Sequence, residues 1–173
     1  MSQTPHVKAI FIAPSAGEPM QSLLKAQIIS AGIQGDRYAN NTGAYSNTAP
    51  KKIRHLSLIT EDAIHMANEQ LTSCNVPTYT AAQTRRNIVI DHMGADTLNQ
   101  LVGKTFTLGT LILKGVELCA PCERPGKLLH QVGFMNAFEG RGGLRAEVLN
   151  VGVISIGDEL SFNPEDLNDS ISR

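Results

Sequence analysis

The second half of this chain has a rhythm that few folds can accommodate. Short apolar segments, each too brief for a useful helix, alternate with turn residues. Thr105–Leu108 and Leu111–Leu118 flank Gly109-Thr110, and Leu144–Leu149 and Val153–Ile156 flank Asn150-Val151-Gly152. Gly157-Asp158 then leads into Glu159–Phe162. Such runs, bounded by glycine and asparagine, read as strands joined by tight turns. The first half adds strands at Val7–Ile12, ended by Pro14, and at Lys25–Ile29, with Glu18–Gln21 a turn or short helix between them. Gly32–Arg37 reads as a turn, and Tyr38–Lys52, rich in Asn, Thr, Gly and Ser, as a surface loop. Ile53–Ile59 and Asn87–Ile90 follow as strands.

Helical signals are few. Thr60 is a fitting N-cap, and Glu61-Asp62 suits the positive end of a helix that should reach about Thr72. Asp96 or Thr97 can cap a short helix stopped by Gly103, and Lys127–Ala137 is helix-compatible but broken by Gly133. Many strands and few helices exclude a doubly wound α/β fold. The expectation is a mainly β, β-rich α+β fold, a closed or partly closed β-barrel with a few peripheral helices. One domain over residues 1–162 should carry it, followed by a polar, acidic tail at 163–173.

With 173 residues, 42% hydrophobic and 18% charged, the chain can bury a proper core. A formal charge of -1 argues against a general nucleic-acid binder. Three cysteines make no closed disulfide framework, the N-terminus lacks a signal-peptide pattern, and no apolar run approaches the ~20 residues that cross a bilayer. A cytoplasmic protein without membrane attachment is expected. Within this neutral chain, Arg37, Arg54, Arg85, Arg86, Arg124, Arg141 and Arg145 lie in or beside turn-like segments. That distribution suits a local anion site.

Chemistry concentrates in Val116–Gly126, where an apolar run delivers Cys119-Ala120-Pro121-Cys122 into a turn broken by Pro125-Gly126. A thiolate is both a strong nucleophile and a soft metal ligand, and a neighbouring guanidinium such as Arg124 favours it over the thiol. Cys122 could equally carry sulfane sulfur or be an inert core residue, and the role of Cys119 stays open. A thioredoxin-type Cys-x-x-Cys should open a helix within a βαβ unit, which Pro125-Gly126 argues against. Zinc would need further ligands at a paired spacing that neither Cys74 nor any histidine supplies. Gly35-Asp36-Arg37 and Gly157-Asp158 can be plain turns, and His55 a core histidine.

Gly32-Ile33-Gln34-Gly35-Asp36-Arg37, Arg85-Arg86-Asn87-Ile88-Val89, Cys119-Ala120-Pro121-Cys122 and Arg141-Gly142-Gly143-Leu144-Arg145-Ala146, with Gly152 to Gly157-Asp158, together resemble the MOSC domain. This module ends the molybdenum-cofactor sulfurases and also occurs alone and in amidoxime-reducing components. The resemblance implies a β-barrel-like fold that binds a molybdenum–pterin cofactor. It implies Cys122 as the catalytic, metal-ligating residue, and Arg85 and Asn87 as pterin-binding. Arg37 could reach the cofactor too, and the turn Arg141-Gly142-Gly143 could hold its phosphate with backbone N–H groups. Such a protein would be an oxidoreductase reducing N-hydroxylated compounds with electrons from an external reductase. The alternative is a non-enzymatic carrier of persulfide or cofactor, served by a cysteine desulfurase. Pyridoxal phosphate belongs to the sulfurases' other domain and is a family association only. Substrate, electron donor and oligomeric state are not implied.

Overall fold

In the computed structural model, which describes residues 3–168, the short apolar segments pair as the turns between them dictate. The strands are β1 (His6–Ile12), β2 (Gln21–Leu23), β3 (Lys25–Ile29), β4 (Gly32–Ile33), β5 (Leu56–Thr60), β6 (Ile88–Asp91), β7 (Thr105–Leu108), β8 (Leu111–Leu118), β9 (Leu144–Val148), β10 (Gly152–Ser155) and β11 (Leu160–Ser161). The helices are α1 (Glu61–Ser73), α2 (Ala95–Asn99), α3 (Arg124–Leu129), α4 (Phe134–Ala137) and α5 (Glu165–Asn168). An eight-stranded sheet runs β11-β7-β8-β9-β5-β6-β1-β2, and a three-stranded sheet runs β10-β3-β4.

The large sheet curls back on itself. His6 bridges Glu159, and Val7 N–H donates to the Asp158 carbonyl and Leu160 N–H to that of Pro5, both at 2.8 Å. These contacts bring the chain entering β11 against the start of β1, so the fold is the mainly β, barrel-like one expected. Ala26, Ile28, Ile33 and Ile154 of the small sheet join Val7, Ile10, Leu58, Leu113 and Leu144 in one core. The burial of β7 and β9 alternates residue by residue, as one face packing inward requires.

The pair β5–β6 is parallel, unlike its neighbours, and α1 is part of the crossover it needs. Leu58 and Ile88 face the barrel, while Ile59 and Val89 pack against Ala63, Ala67 and Leu71 of α1 and Phe134 and Phe138 beyond. Covering on both faces is what parallel strands demand. Thr60 caps α1 as expected, its Oγ1 accepting from Ala63 N–H at 3.0 Å.

Several boundaries differ from the sequence reading. Where Glu18–Gln21 suggested a turn or short helix, Gln21 begins β2, held to β1 through Ile10↔Leu23. β5 starts at Leu56 rather than Ile53, because the His55 ring accepts from Val148 N–H at 3.0 Å and bends the chain. α2 is opened by Gly94 with no side-chain cap from Asp96 or Thr97. Above all, a helix does follow the cysteines directly. Pro125 sits in the first turn of α3, where its missing N–H has no intrahelical acceptor to lose. The helix stops at His130, φ +53°, and Gly133, φ +87°, opens α4. The acidic tail begins as α5, and residues 169–173 lie outside the described residues.

Candidate functional site

The barrel rim between β5, β6 and the end of β8 carries a narrow cleft of about 80 Å³. Its walls include Arg37, Arg54, Arg85, Arg86, Arg124 and Arg145, together with Asn87, Ser57, Cys119 and Cys122. Each arrives by a different route. A 3₁₀ turn at Ala82–Thr84 ends in Arg85 at φ +62°, which swings Arg85-Arg86 over the rim before β6 starts. β8 delivers Cys119, the first turn of α3 carries Arg124, and Arg145 pairs opposite Ser57 across β9 and β5.

The guanidinium groups fall into two sets. Arg37 bonds to buried Asp36 at 3.0 Å, and Arg145 to Glu117 at 2.7 Å. Among the described residues, Arg54, Arg85, Arg86 and Arg124 have no carboxylate partner. Arg86 spends Nε on the Gly142 carbonyl at 2.7 Å and Nη1 on that of Thr84 at 3.3 Å. Arg54 lies over the rings of Tyr45 and Tyr38, its centre 4.9 Å and 6.0 Å from their centroids, and its Nε is buried without a bond.

Arg85 is the most exacting case. Its Nη1 donates to the Glu18 carbonyl at 2.7 Å, but Nη2 is buried with no acceptor. Burial, then the charges of Arg37 and Arg124, push its pKa down to about 10, against weaker opposing pulls from Tyr38 and Asp36. A buried donor left without an acceptor costs on the order of 1–3 kcal/mol. An anion in the cleft would relieve both the orphaned donor and the mutual repulsion.

Other expected site residues are already committed to the fold. Asn87 lines the cleft, yet its carbonyl oxygen accepts from Ser57 N–H at 3.1 Å and Ser57 Oγ at 3.2 Å, while Nδ2 donates to the Phe11 carbonyl at 3.1 Å. Its amide stitches β1, β5 and β6 together at their rim. Arg37 Nη2 donates to the Arg85 carbonyl at 3.1 Å, holding that residue in its left-handed turn. Arg141, Gly142 and Gly143 do not line the arginine cleft. The close approach that the two glycines permit is to protein backbone: a Cβ on Gly142 would stand 2.2 Å from the Cys119 carbonyl oxygen, and one on Gly143 2.2 Å from that of Leu58. Their strand entry thereby packs under the cysteine loop.

Cys122 is half-buried and faces two spaces. With Arg124 and Tyr45 it borders the cleft and also an open cavity of about 610 Å³ walled by Pro121, Lys127, Leu128 and Met135. Cys119 is buried, its N–H donating to the Gly143 carbonyl at 2.8 Å. A thiol therefore stands at the junction of a small slot lined by arginines and a broader, partly apolar depression.

Residues 46–161 match the MOSC domain family. The chain belongs to that family. The fold of this MOSC protein is similar to YuaD from Bacillus subtilis, with a TM-score of 0.72 at 20% identity over 93% of this chain and 98% of that one. It is also similar to YiiM from Geobacillus stearothermophilus (TM-score 0.66, 14% identity, 90% and 73% covered). YiiM from Escherichia coli gives 0.60 at 16% identity, with 93% and 71% covered. No curated protein matches the sequence. Among the described residues, no helix of this MOSC protein is long and apolar enough to cross a membrane.

Sequence reasoning singled out Cys122, Arg85, Asn87 and Arg37, which the structure gathers around one cleft. Arg54 and Arg145 entered it only among the arginines flanking turns, and Tyr38, Tyr45 and Ser57 not at all. The clustering of arginines beside turns was the available signal for the first two. Nothing local marks Ser57.

Proposed function

We propose that this MOSC protein binds a molybdenum–pterin cofactor, with its phosphate in the arginine cleft and Cys122 ligating the metal. The observation that carries the reading is the buried, unbonded Nη2 of Arg85, beside guanidinium groups lacking carboxylates and in the same cleft as Cys122. Arg85, Arg86 and Arg124 would hold the phosphate, a dianion matched in charge and in hydrogen-bonding capacity. A volume of about 80 Å³ suits that group alone, so the pterin would occupy the wider cavity sharing Cys122, Arg124 and Tyr45. Arg37 and Asn87 act as positioning residues, fixing the Arg85 turn and the strand ends beneath it.

When bound, the cofactor would supply oxygen-atom removal from N-hydroxylated compounds, two electrons and two protons converting each to its amine and water. Those electrons require a partner reductase. The chain's own contribution is to neutralise the phosphate, offer a soft sulfur ligand and shield it behind the Tyr38–Lys52 loop.

The test is metal and pterin analysis of protein purified from a molybdenum-replete, cofactor-competent host. Stoichiometric molybdenum and pterin are expected, with Cys122→Ser lowering the occupancy of both together. Metal-free, pterin-free protein would overturn the reading. Sulfane sulfur on Cys122 in such protein would instead support the persulfide carrier, which the access of Cys122 to the open cavity also permits.

A further inference from the structure

At the end of β6 remote from the arginine cleft, His6, Asp91 and His92 come together. His6 and Asp91 are register partners across β1 and β6, so their side chains leave the sheet on one face. His92 follows with φ +56°, a left-handed conformation uncommon outside glycine, and its ring centroid stands 5.2 Å from that of His6. One donor atom from each of the three lies within 4.8 Å of the others.

We propose that His6, Asp91 and His92 form a zinc-binding site, independent of the arginine cleft. Two imidazoles and a carboxylate are a borderline-soft donor set of the kind that holds zinc with a solvent molecule in the fourth position. His6 Nδ1 lies 3.1 Å from the Thr4 carbonyl oxygen. A carbonyl only accepts, so Nδ1 carries the proton and Nε2 keeps its lone pair for a metal. An outer hydrogen bond of this type is the usual way a ligating histidine is oriented.

Zinc bonds of about 2.0–2.1 Å hold donors roughly 3.4 Å apart. The donors must therefore close from separations of up to 4.8 Å, which exposed His92 and the Asp91 carboxylate can do by side-chain rotation while His6 keeps its bond to Thr4. Lys8 is the competitor, its Nζ 3.8 Å from Asp91, but it also pairs with Glu61 at 3.1 Å and has that carboxylate to fall back on. An open cavity of about 460 Å³ beside Asp91 and His92 leaves the fourth position accessible to water. Because His6 also forms the bridge to Glu159, a bound ion would pin β1 to β6 beside the barrel's seam.

The test is titration of the chelator-stripped chain with zinc chloride, followed by calorimetry and by thermal unfolding. The wild type should bind zinc stoichiometrically and gain in Tm, and Cys74→Ser/Cys122→Ser, which removes the accessible thiols, should do the same. Asp91→Asn and His92→Gly should each weaken binding by at least about tenfold. His92→Gly removes the imidazole at a backbone position glycine accepts readily, so loss of binding there does not reflect misfolding. Absence of saturable binding in the wild type, binding that both site variants keep, or binding that disappears with the thiols would each overturn the proposal.

Discussion

The two ends of β6 have opposite electrostatic character. Before the strand, Arg85 and Arg86 join Arg54 and Arg124 in a cleft where carboxylates partner only Arg37 and Arg145. After it, Asp91 stands among Lys8, His6 and His92, groups that share or trade a cation. The strand between them, Ile88 to Ile90, is wholly buried. A rigid apolar segment thus holds polar groups at both ends. Which ends are complete without a ligand can be read from hydrogen bonding: Asn87 is satisfied by its own neighbours, whereas Arg85 is not.

That contrast makes Asn87 and Arg85, two residues apart, behave oppositely when altered. Asn87→Ala leaves the Phe11 carbonyl and the Ser57 N–H without their partner at a buried junction. A loss of about 3 kcal/mol in unfolding free energy is expected, measurable by urea denaturation, whether or not anions are present. Arg85→Asn, by contrast, removes an unfavourably placed charge and substitutes a residue that tolerates φ +62°. Stability without anions should be unchanged or higher, while phosphate affinity falls roughly tenfold or more, read by calorimetry. If both variants lose stability equally, Arg85 is a structural strut and the cleft needs no anion.

A pH series sharpens the same distinction. With its pKa pushed down to about 10, the Arg85 guanidinium is charged and attracts an anion at neutral pH and loses that charge progressively as pH rises through about 10. Phosphate affinity should decline as pH rises through about 10, with a smaller decline in Arg85→Asn. On the acid side a different group acts. Burial lowers the His55 pKa, against the opposing charge of Glu147, and its Nδ1 accepts from Val148 N–H. The unfolded chain therefore takes up this proton first as pH falls, so the stability His55 contributes is present above its ordinary value of 6.5 and is lost below it. His55→Asn should flatten that part of the stability profile.

The sequence was most readable where a boundary and a pattern coincide. Thr105–Leu108 and Leu111–Leu118 are strands with those limits because the Gly109 turn and the alternation agree. Ile53 reads as a strand start from sequence, whereas the contact at His55 that precedes the strand depends on Val148, far along the chain. The α3 helix was hidden by Pro125-Gly126, residues that break a helix interior but are tolerated in a first turn. The motifs single out Arg85 and Cys122, and the fold brings both to one cleft. Arg54 and Arg145 reach the same cleft only because β5 pairs with β9, and Ser57 matters only because it meets Asn87. Pairing between distant segments also creates the His6–Asp91 neighbourhood, which no local spacing announces.

The variant with the smallest expected effect on metal-free stability, His92→Gly, separates the two ends of β6 most cleanly. Histidine at φ +56° carries a modest strain that glycine lacks, while glycine costs more backbone entropy on folding. These contributions are each about 1 kcal/mol or less and oppose one another, so the variant should match the wild type closely in metal-free urea denaturation. What the wild type has in addition is the imidazole beside His6 and Asp91. With zinc at a hundredfold excess over Kd, linkage stabilises a binding-competent fold by about 2.7 kcal/mol. Two proteins nearly equal without metal should then separate with it, while phosphate affinity at the arginine cleft stays the same in both. A phosphate affinity that moved with His92→Gly would mean that the buried strand couples its ends, and that the two sites are one.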